Sequence, residues 1–166
     1  MKPLGVAALK TGMVSMEALA EMRRWGLPLD IRDEEEIGMV DNIDDALRLI
    51  RDALEGRDQV QIQESDLDLL RRFLDPTHQQ MGKLMVKDEN NKTTFDIPFC
   101  TTLMGEFVLP WKSEGIRDMM TMGESTLRYE ENGVTKTVCI IDVRESYFGN
   151  QRTFMVCTVE VKHAGR

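Results

Sequence analysis

The chain has little of the material from which most recognisable chemistry is built. Its 166 residues include three cysteines, Cys100, Cys139 and Cys157, and two histidines, His78 and His163. An odd number of widely spaced cysteines is not a disulfide framework, and so few histidines exclude a histidine-rich metal site. No apolar run approaches the roughly 20 residues of a membrane-spanning helix. Near the N-terminus, Lys2 precedes an apolar run over residues 4–9 that Gly5 interrupts and Lys10 ends. That run is shorter than the core of a secretory signal. Synthesis and residence in a cytoplasm are therefore expected, and there Asn91-Lys92-Thr93 is no glycosylation acceptor.

Clustered basic residues are missing too. A net charge of −8 and a pI near 4.9 argue against a protein that coats nucleic acid by neutralising phosphates. There is no Gly-x-Gly-x-x-Gly, no Walker loop, no Gly-x-Ser-x-Gly and no His-Glu-x-x-His. No cofactor or metal is expected, and no fixed-period repeat or low-complexity run is present.

What is present is a split in charge and periodicity. Residues 30–68 hold 14 of the 29 acidic side chains and 4 of the 21 basic ones, a local net charge of −10 that leaves +2 for the rest. This acidic stretch repeats with a helical period. From Gly82 onward most of the chain alternates as strands do.

Three helices are predicted. Ser15 caps the first over residues 16–25, with Gly26 closing it and Pro28 beyond. An acidic loop, residues 28–41, centres on Asp33-Glu34-Glu35-Glu36. Asn42 caps the second helix, with Asp44 and Asp45 in its dipole-favoured first turn and Ile43, Ala46, Leu47, Ile50 and Leu54 on its apolar face. That helix is expected to end at Gly56. A short strand-like piece, Val60 and Ile62 alternating with glutamines, leads to a third helix. Ser65 caps it, Leu67, Leu70, Phe73 and Leu74 are its buried face, and Pro76 ends it. Residues 1–14, with Pro3, Gly5 and Gly12, read as an extended arm, free or ordered by a neighbour.

The back half reads as five or six antiparallel strands. Residues 83–87 and 92–97 form a hairpin around residues 88–91. An apolar, Thr-containing stretch follows over residues 99–109, broken by Gly105, and residues 113–122 form a short helix or a Met-rich loop. Asn132-Gly133 marks a tight two-residue turn. Val138-Cys139-Ile140-Ile141, apolar on both faces, suits a central strand. Residues 152–162 are the last strand, with Met155, Cys157, Val159 and Val161 on one face.

The sharpest catalytic pattern is Asp142 followed by Glu160-Val161-Lys162. It resembles the signature of restriction-endonuclease-like nucleases. That resemblance implies two carboxylates on neighbouring strands holding Mg²⁺ and a lysine stabilising the attacking hydroxide. A solvent-facing strand edge has the same residues. Asp75-Pro76-Thr77-His78 puts a carboxylate and an imidazole in one turn, which a helix-ending loop also explains. Asp66-x-Asp68 is accounted for by first-turn capping. Cys139 and Cys157 fall in the last two strands, facing each other or on a diagonal, as a redox pair or as two buried thiols. Among the 12 methionines, Met119, Met120 and Met122 fall within four residues, as core filling or as an adaptable contact surface.

The expected fold is α+β, three N-terminal helices packed with a C-terminal antiparallel β-sheet or small β-barrel of five to six strands. The expected organisation is an arm at 1–14, an acidic helical region at 15–81 and a β-domain at 82–166, or one compact unit from 15 onward. The expected function is non-enzymatic: an assembly protein, most concretely a structural subunit of a phage-type virion or connector, partnered by other protein subunits as a homo- or hetero-oligomer. Interaction candidates are Asp33, Glu34, Glu35, Glu36, Met119, Met120 and Met122. Two alternatives are an acidic regulator that docks on a basic or nucleic-acid-binding protein, and a metal-dependent nuclease using Asp142, Glu160 and Lys162.

Overall fold

The computed structural model describes residues 19–20, 23–24, 26, 29–40, 42–75, 77–87, 92–121 and 124–162. The proposed arm, the Ser15 cap, Pro76 and the turn at 88–91 lie outside them. Contacts divide the chain into two units, one formed by Met1–Gln79 with Ser146–Thr153, the other by Gln80–Glu145 with Phe154–Arg166.

In the first unit, Leu19, Ala20, Arg23 and Arg24 are helical, and Gly26 makes a turn. The rest of the helix predicted over residues 16–25 lies outside the described residues. The supposed acidic loop is in fact a helix, α1 (Ile31–Gly38). Asp30 and Asp33 form a reciprocal capping box: the Asp33 N–H donates to Asp30 Oδ1 at 2.9 Å, and the Asp30 N–H to Asp33 Oδ2 at 3.5 Å. Acidic residues suit this end of the dipole, and Ile37 supplies a buried anchor.

Helix α2 (Ile43–Asp58) starts at the expected cap, with the Asn42 side chain accepting from the Asp45 N–H. Ile43, Ala46, Leu47, Ile50 and Leu54 are all buried, as their spacing requires. It runs past Gly56, and Gln59 takes the left-handed closing position at φ 58°. Val60 and Ile62 are not a strand. Ile62 donates its N–H to Glu55 Oε2 at 2.8 Å, so a side chain satisfies what a strand ladder would. Helix α3 (Glu64–Leu74) is capped by Gln63, not Ser65, and without a side-chain hydrogen bond. Its face of Leu67, Leu69, Leu70, Phe73 and Leu74 is buried.

The same unit includes Ser146–Thr153, the tip of a hairpin. Ser146 Oγ donates to Asp66 of α3 at 2.6 Å, and the Asn150 N–H donates to Asp58 at 3.2 Å. Asp66 is in the first turn of α3, as expected, and also makes this long-range tertiary contact.

The second unit is a closed antiparallel barrel of six strands in the order β1-β2-β3-β6-β5-β4. They are β1 (Gln80–Lys87), β2 (Lys92–Thr101), β3 (Phe107–Pro110), β4 (Glu124–Glu131), β5 (Val134–Phe148) and β6 (Gln151–Val161), with α4 (Ile116–Thr121) between β3 and β4. The α+β class with helices first and strands last holds, and the β part is a barrel. Asn132 and Gly133 adopt φ 54° and 78°, the left-handed pair a tight hairpin turn demands.

The interior is packed by Leu84, Val86, Ile97, Phe99, Leu109, Leu127, Met155 and Cys157, with Ile116 and Met119 from α4. Phe99 stacks on Phe107 at 5.2 Å between centroids, and Tyr129 meets both rings edge-on at 5.3 and 5.5 Å. The segment Val138-Cys139-Ile140-Ile141 is not a double-sided central strand. Val138 and Ile140 face the core, while Ile141 is exposed. Val143 also packs against the core.

Candidate functional site

The register brings four features to one end of the barrel. Gln80, the first residue of β1, pairs with Phe99, just before the turn that joins β2 to β3. Lys83 pairs with Arg128, which sets the C-terminal end of β4 beside the start of β1. The Lys162 N–H donates to the Thr137 carbonyl at 3.0 Å, so β6 also ends here, next to the start of β5. α4 leads into β4, whose first residue Glu124 pairs with Lys87 at the far end of β1.

This end exposes large apolar side chains. Leu103 and Met104 are 93% and 89% exposed, and Val161, Met81 and Val134 are 63%, 61% and 56% exposed. They are five of the eight large apolar side chains most exposed among the described residues; Met39, Ile141 and Tyr147 complete that set. The turn carrying Leu103 and Met104 is firmly built. Thr102 donates its N–H to the Glu106 carbonyl at 2.8 Å, and Thr102 Oγ1 accepts from the Glu106 N–H at 3.1 Å. The Gly105 N–H closes on the Thr102 carbonyl at 3.0 Å. Two side chains are thus held out in water by a hydrogen-bonded turn.

Beside that turn the wall opens. Pairing between β1 and β4 runs from Lys87–Glu124 to Lys83–Arg128 and stops. Beyond it, β1 stays paired with β2 and β4 with β5, but not with each other. The notch between them has a volume of about 660 Å³ and is lined by residues of β1, β2, β4 and β5, including Met81, Lys83, Asp96, Arg128, Tyr129 and Glu130. Lys83 Nζ is held by Asp96 at 2.7 Å. Arg128 stands directly across the ladder from Lys83 and has no ion-pair partner among the described residues. Burial and the Glu131 carboxylate raise the Tyr129 hydroxyl above its ordinary pKa.

The sequence-predicted residues are distributed otherwise. Met119 is buried in the barrel core and offers no contact surface; the Met120 side chain and Met122 lie outside the described residues. Asp33 pairs with Arg57 at 2.8 Å and caps α1. Glu35 and Glu36 are exposed on α1, and the Glu34 side chain lies outside the described residues. Much of the acidic stretch is internally engaged. Besides Asp30, Asp33, Glu55, Asp58 and Asp66, Asp44 meets Arg71, Asp45 meets Arg48 and Glu64 meets Arg51. Backbone donation by Asp33 holds the Asp30 carboxyl below its ordinary pKa.

Asp142, Glu160 and Lys162 are exposed. With Lys162 hydrogen-bonded to Thr137, Glu160 falls beside Cys139, three residues from Asp142, or roughly 10 Å along the ladder at the strand rise. Ligands of one Mg²⁺ lie far closer, since each bond is about 2 Å. Asp142 instead accepts from the Val143 N–H at 3.0 Å. No three His, Cys, Asp or Glu side chains are grouped to hold a metal ion among the described residues. Cys139 lies between the inward Val138 and Ile140 and so takes the opposite face from the inward Cys157; the two thiols do not face each other. Asp75 is buried and accepts from the Thr77 N–H at 3.0 Å and Oγ1 at 2.8 Å, with His78 Nε2 at 3.7 Å. That geometry closes the end of α3. His163 lies outside the described residues, and no described helix is long and apolar enough to cross a membrane.

No protein-family model, curated protein or solved structure matches the chain.

Proposed function

We propose that the chain is a non-enzymatic assembly subunit, a structural component of a larger particle of the phage-type virion or connector kind, which associates with copies of itself through the open end of its barrel. The observation that carries this reading is the gathering of Met81, Leu103, Met104, Val134 and Val161 at that end. Monomeric proteins expose single apolar side chains freely, but several exposed at one end of a fold favour that end as a contact surface. The turn holding Leu103 and Met104 is ordered before contact, so docking costs little loop entropy. The acidic residues named above are largely spent on caps and internal pairs, which favours apolar docking over electrostatic docking.

Light scattering on the full chain at low and high salt tests this. The expected mass is a multiple of 19.0 kDa that salt does not lower, because apolar burial is not screened. Replacing Leu103→Asp and Met104→Asp together should return the mass to 19.0 kDa with an unchanged circular dichroism spectrum. A wild-type chain of 19.0 kDa at every concentration, or a double variant of unaltered mass, removes the reading.

A further inference from the structure

The notch in the barrel wall has the properties of a strand-accepting slot. A closed barrel normally leaves no free edge. Among the described residues two edges are unpaired where β1 and β4 part, residues 80–81 on one side and residues 129–131 on the other. Each is held in strand geometry by its other neighbour, β2 or β5. Unpaired N–H and C=O groups on such edges template the addition of another strand. The free stretch is two residues long on β1 and three on β4, which at the strand rise matches about 7–10 Å of extended peptide.

The throat is set by Gly82. A Cβ added there would lie 3.1 Å from the Arg128 carbonyl, from Leu127 and from Phe99. The strands therefore touch at Gly82 and diverge beyond it. Arg128 stands at that point of divergence on the outer face, across from another cation and without a charge partner among the described residues. Like charges directly opposite on a ladder are destabilising unless something offsets them. Asp96 offsets Lys83 and leaves Arg128 without a charge partner among the described residues.

We infer that this notch binds an extended segment of a partner protein, paired through its backbone to the free edges of β1 and β4 and carrying an acidic side chain that meets Arg128. The backbone pairing supplies affinity, and the carboxylate fixes register and direction. Tyr129, part of the aromatic group with Phe99 and Phe107, lines the slot. This inference goes beyond the assembly reading, because a peptide can fill the slot whether or not the barrel end self-associates.

The probe is a short Val/Thr-rich peptide with a central Glu, titrated into the isotope-labelled Leu103→Asp, Met104→Asp chain so that oligomer mass plays no part. Amide shifts are expected at residues 80–83 and 128–131. Arg128→Glu should weaken binding about tenfold, and exchanging the peptide Glu for Lys should restore it to that variant. The same peptide N-methylated on alternate residues should lose at least about tenfold, because a ladder needs its N–H groups. Absence of shifts at those amides overturns the inference. So does equal binding by the N-methylated peptide, which would mean simple charge attraction. Arg128 is exposed, so its variants test the slot without disturbing the core.

Discussion

At the scale of single residues, burial decides the chemistry. Cys157 lies in the barrel core, where desolvation, reinforced by the Glu106 carboxylate, pushes its thiol from an ordinary 9.0 up to about 12. Above about pH 9 the unfolded chain releases this proton and the folded chain does not. Stability present below that pH is therefore lost as pH rises towards 12, by about 1.4 kcal/mol per unit. Other titrating groups cancel on comparison with Cys157→Ala. The stability advantage of the wild type over that variant should shrink by about 2 kcal/mol between about pH 8 and pH 10.5 in urea titrations. A constant difference would show that the thiol is not desolvated by folding. Alkylation at neutral pH should label the half-buried Cys139 ahead of Cys100 and Cys157. Gly115 is a second case. Its φ is +89°, and a Cβ there would overlap the Phe95 ring. Gly115→Ala should cost about 2–3 kcal/mol by chemical denaturation, combining backbone strain with overpacking. A loss below about 0.5 kcal/mol would mean that Phe95 yields freely.

At the scale of elements, the caps separate two helices of similar amphipathic build. Asn42 caps α2 by accepting the Asp45 N–H at 2.9 Å, whereas Gln63 makes no such bond at the start of α3. Asn42→Ala should lower stability by about 1 kcal/mol, while Gln63→Ser should raise it by about 0.5–1 kcal/mol. A thermal melt that moves both variants the same way would contradict the assignment. These elements also show what was legible beforehand. The face of α2 was readable because five apolar residues recur at spacings of three and four. The hairpins were readable because Asn132-Gly133 has one common use. α1 was missed because a run of four acidic residues resembles a solvated loop; the informative signals were the Asp30–Asp33 pair and the lone Ile37. Val60 and Ile62 alternate like a strand, but a glutamate side chain takes the bond a ladder would make. Leu103 and Met104 lay inside an apolar stretch that reads as strand, and only the fold of the turn exposes them. The notch left no local mark, since it depends on where two strands about forty residues apart cease to pair.

At the scale of the whole molecule, connectivity and unit boundaries do not coincide. β5 and β6 are barrel strands, yet the tip joining them, Ser146–Thr153, belongs with the helices. The tip meets α3 through Ser146–Asp66 and the end of α2 through Asn150–Asp58, and the Gln151 side chain donates to the Gly26 carbonyl at 3.0 Å. Phe148, at the end of β5, is fully buried. A reading that divides the chain once, near residue 81, assigns this phenylalanine to the β-domain and makes its loss a barrel defect. The contacts assign it to the helical unit. Phe148→Ala should cost about 3–5 kcal/mol in all. Local opening follows cooperative units, not chain order. Hydrogen exchange in the variant should therefore accelerate first in α2 and α3, more than sixty residues away in sequence, while the β1–β2 and β1–β4 ladders keep most of their protection. Faster exchange in the barrel ladders with the helices unchanged would place Phe148 in the barrel and refute the discontinuous unit.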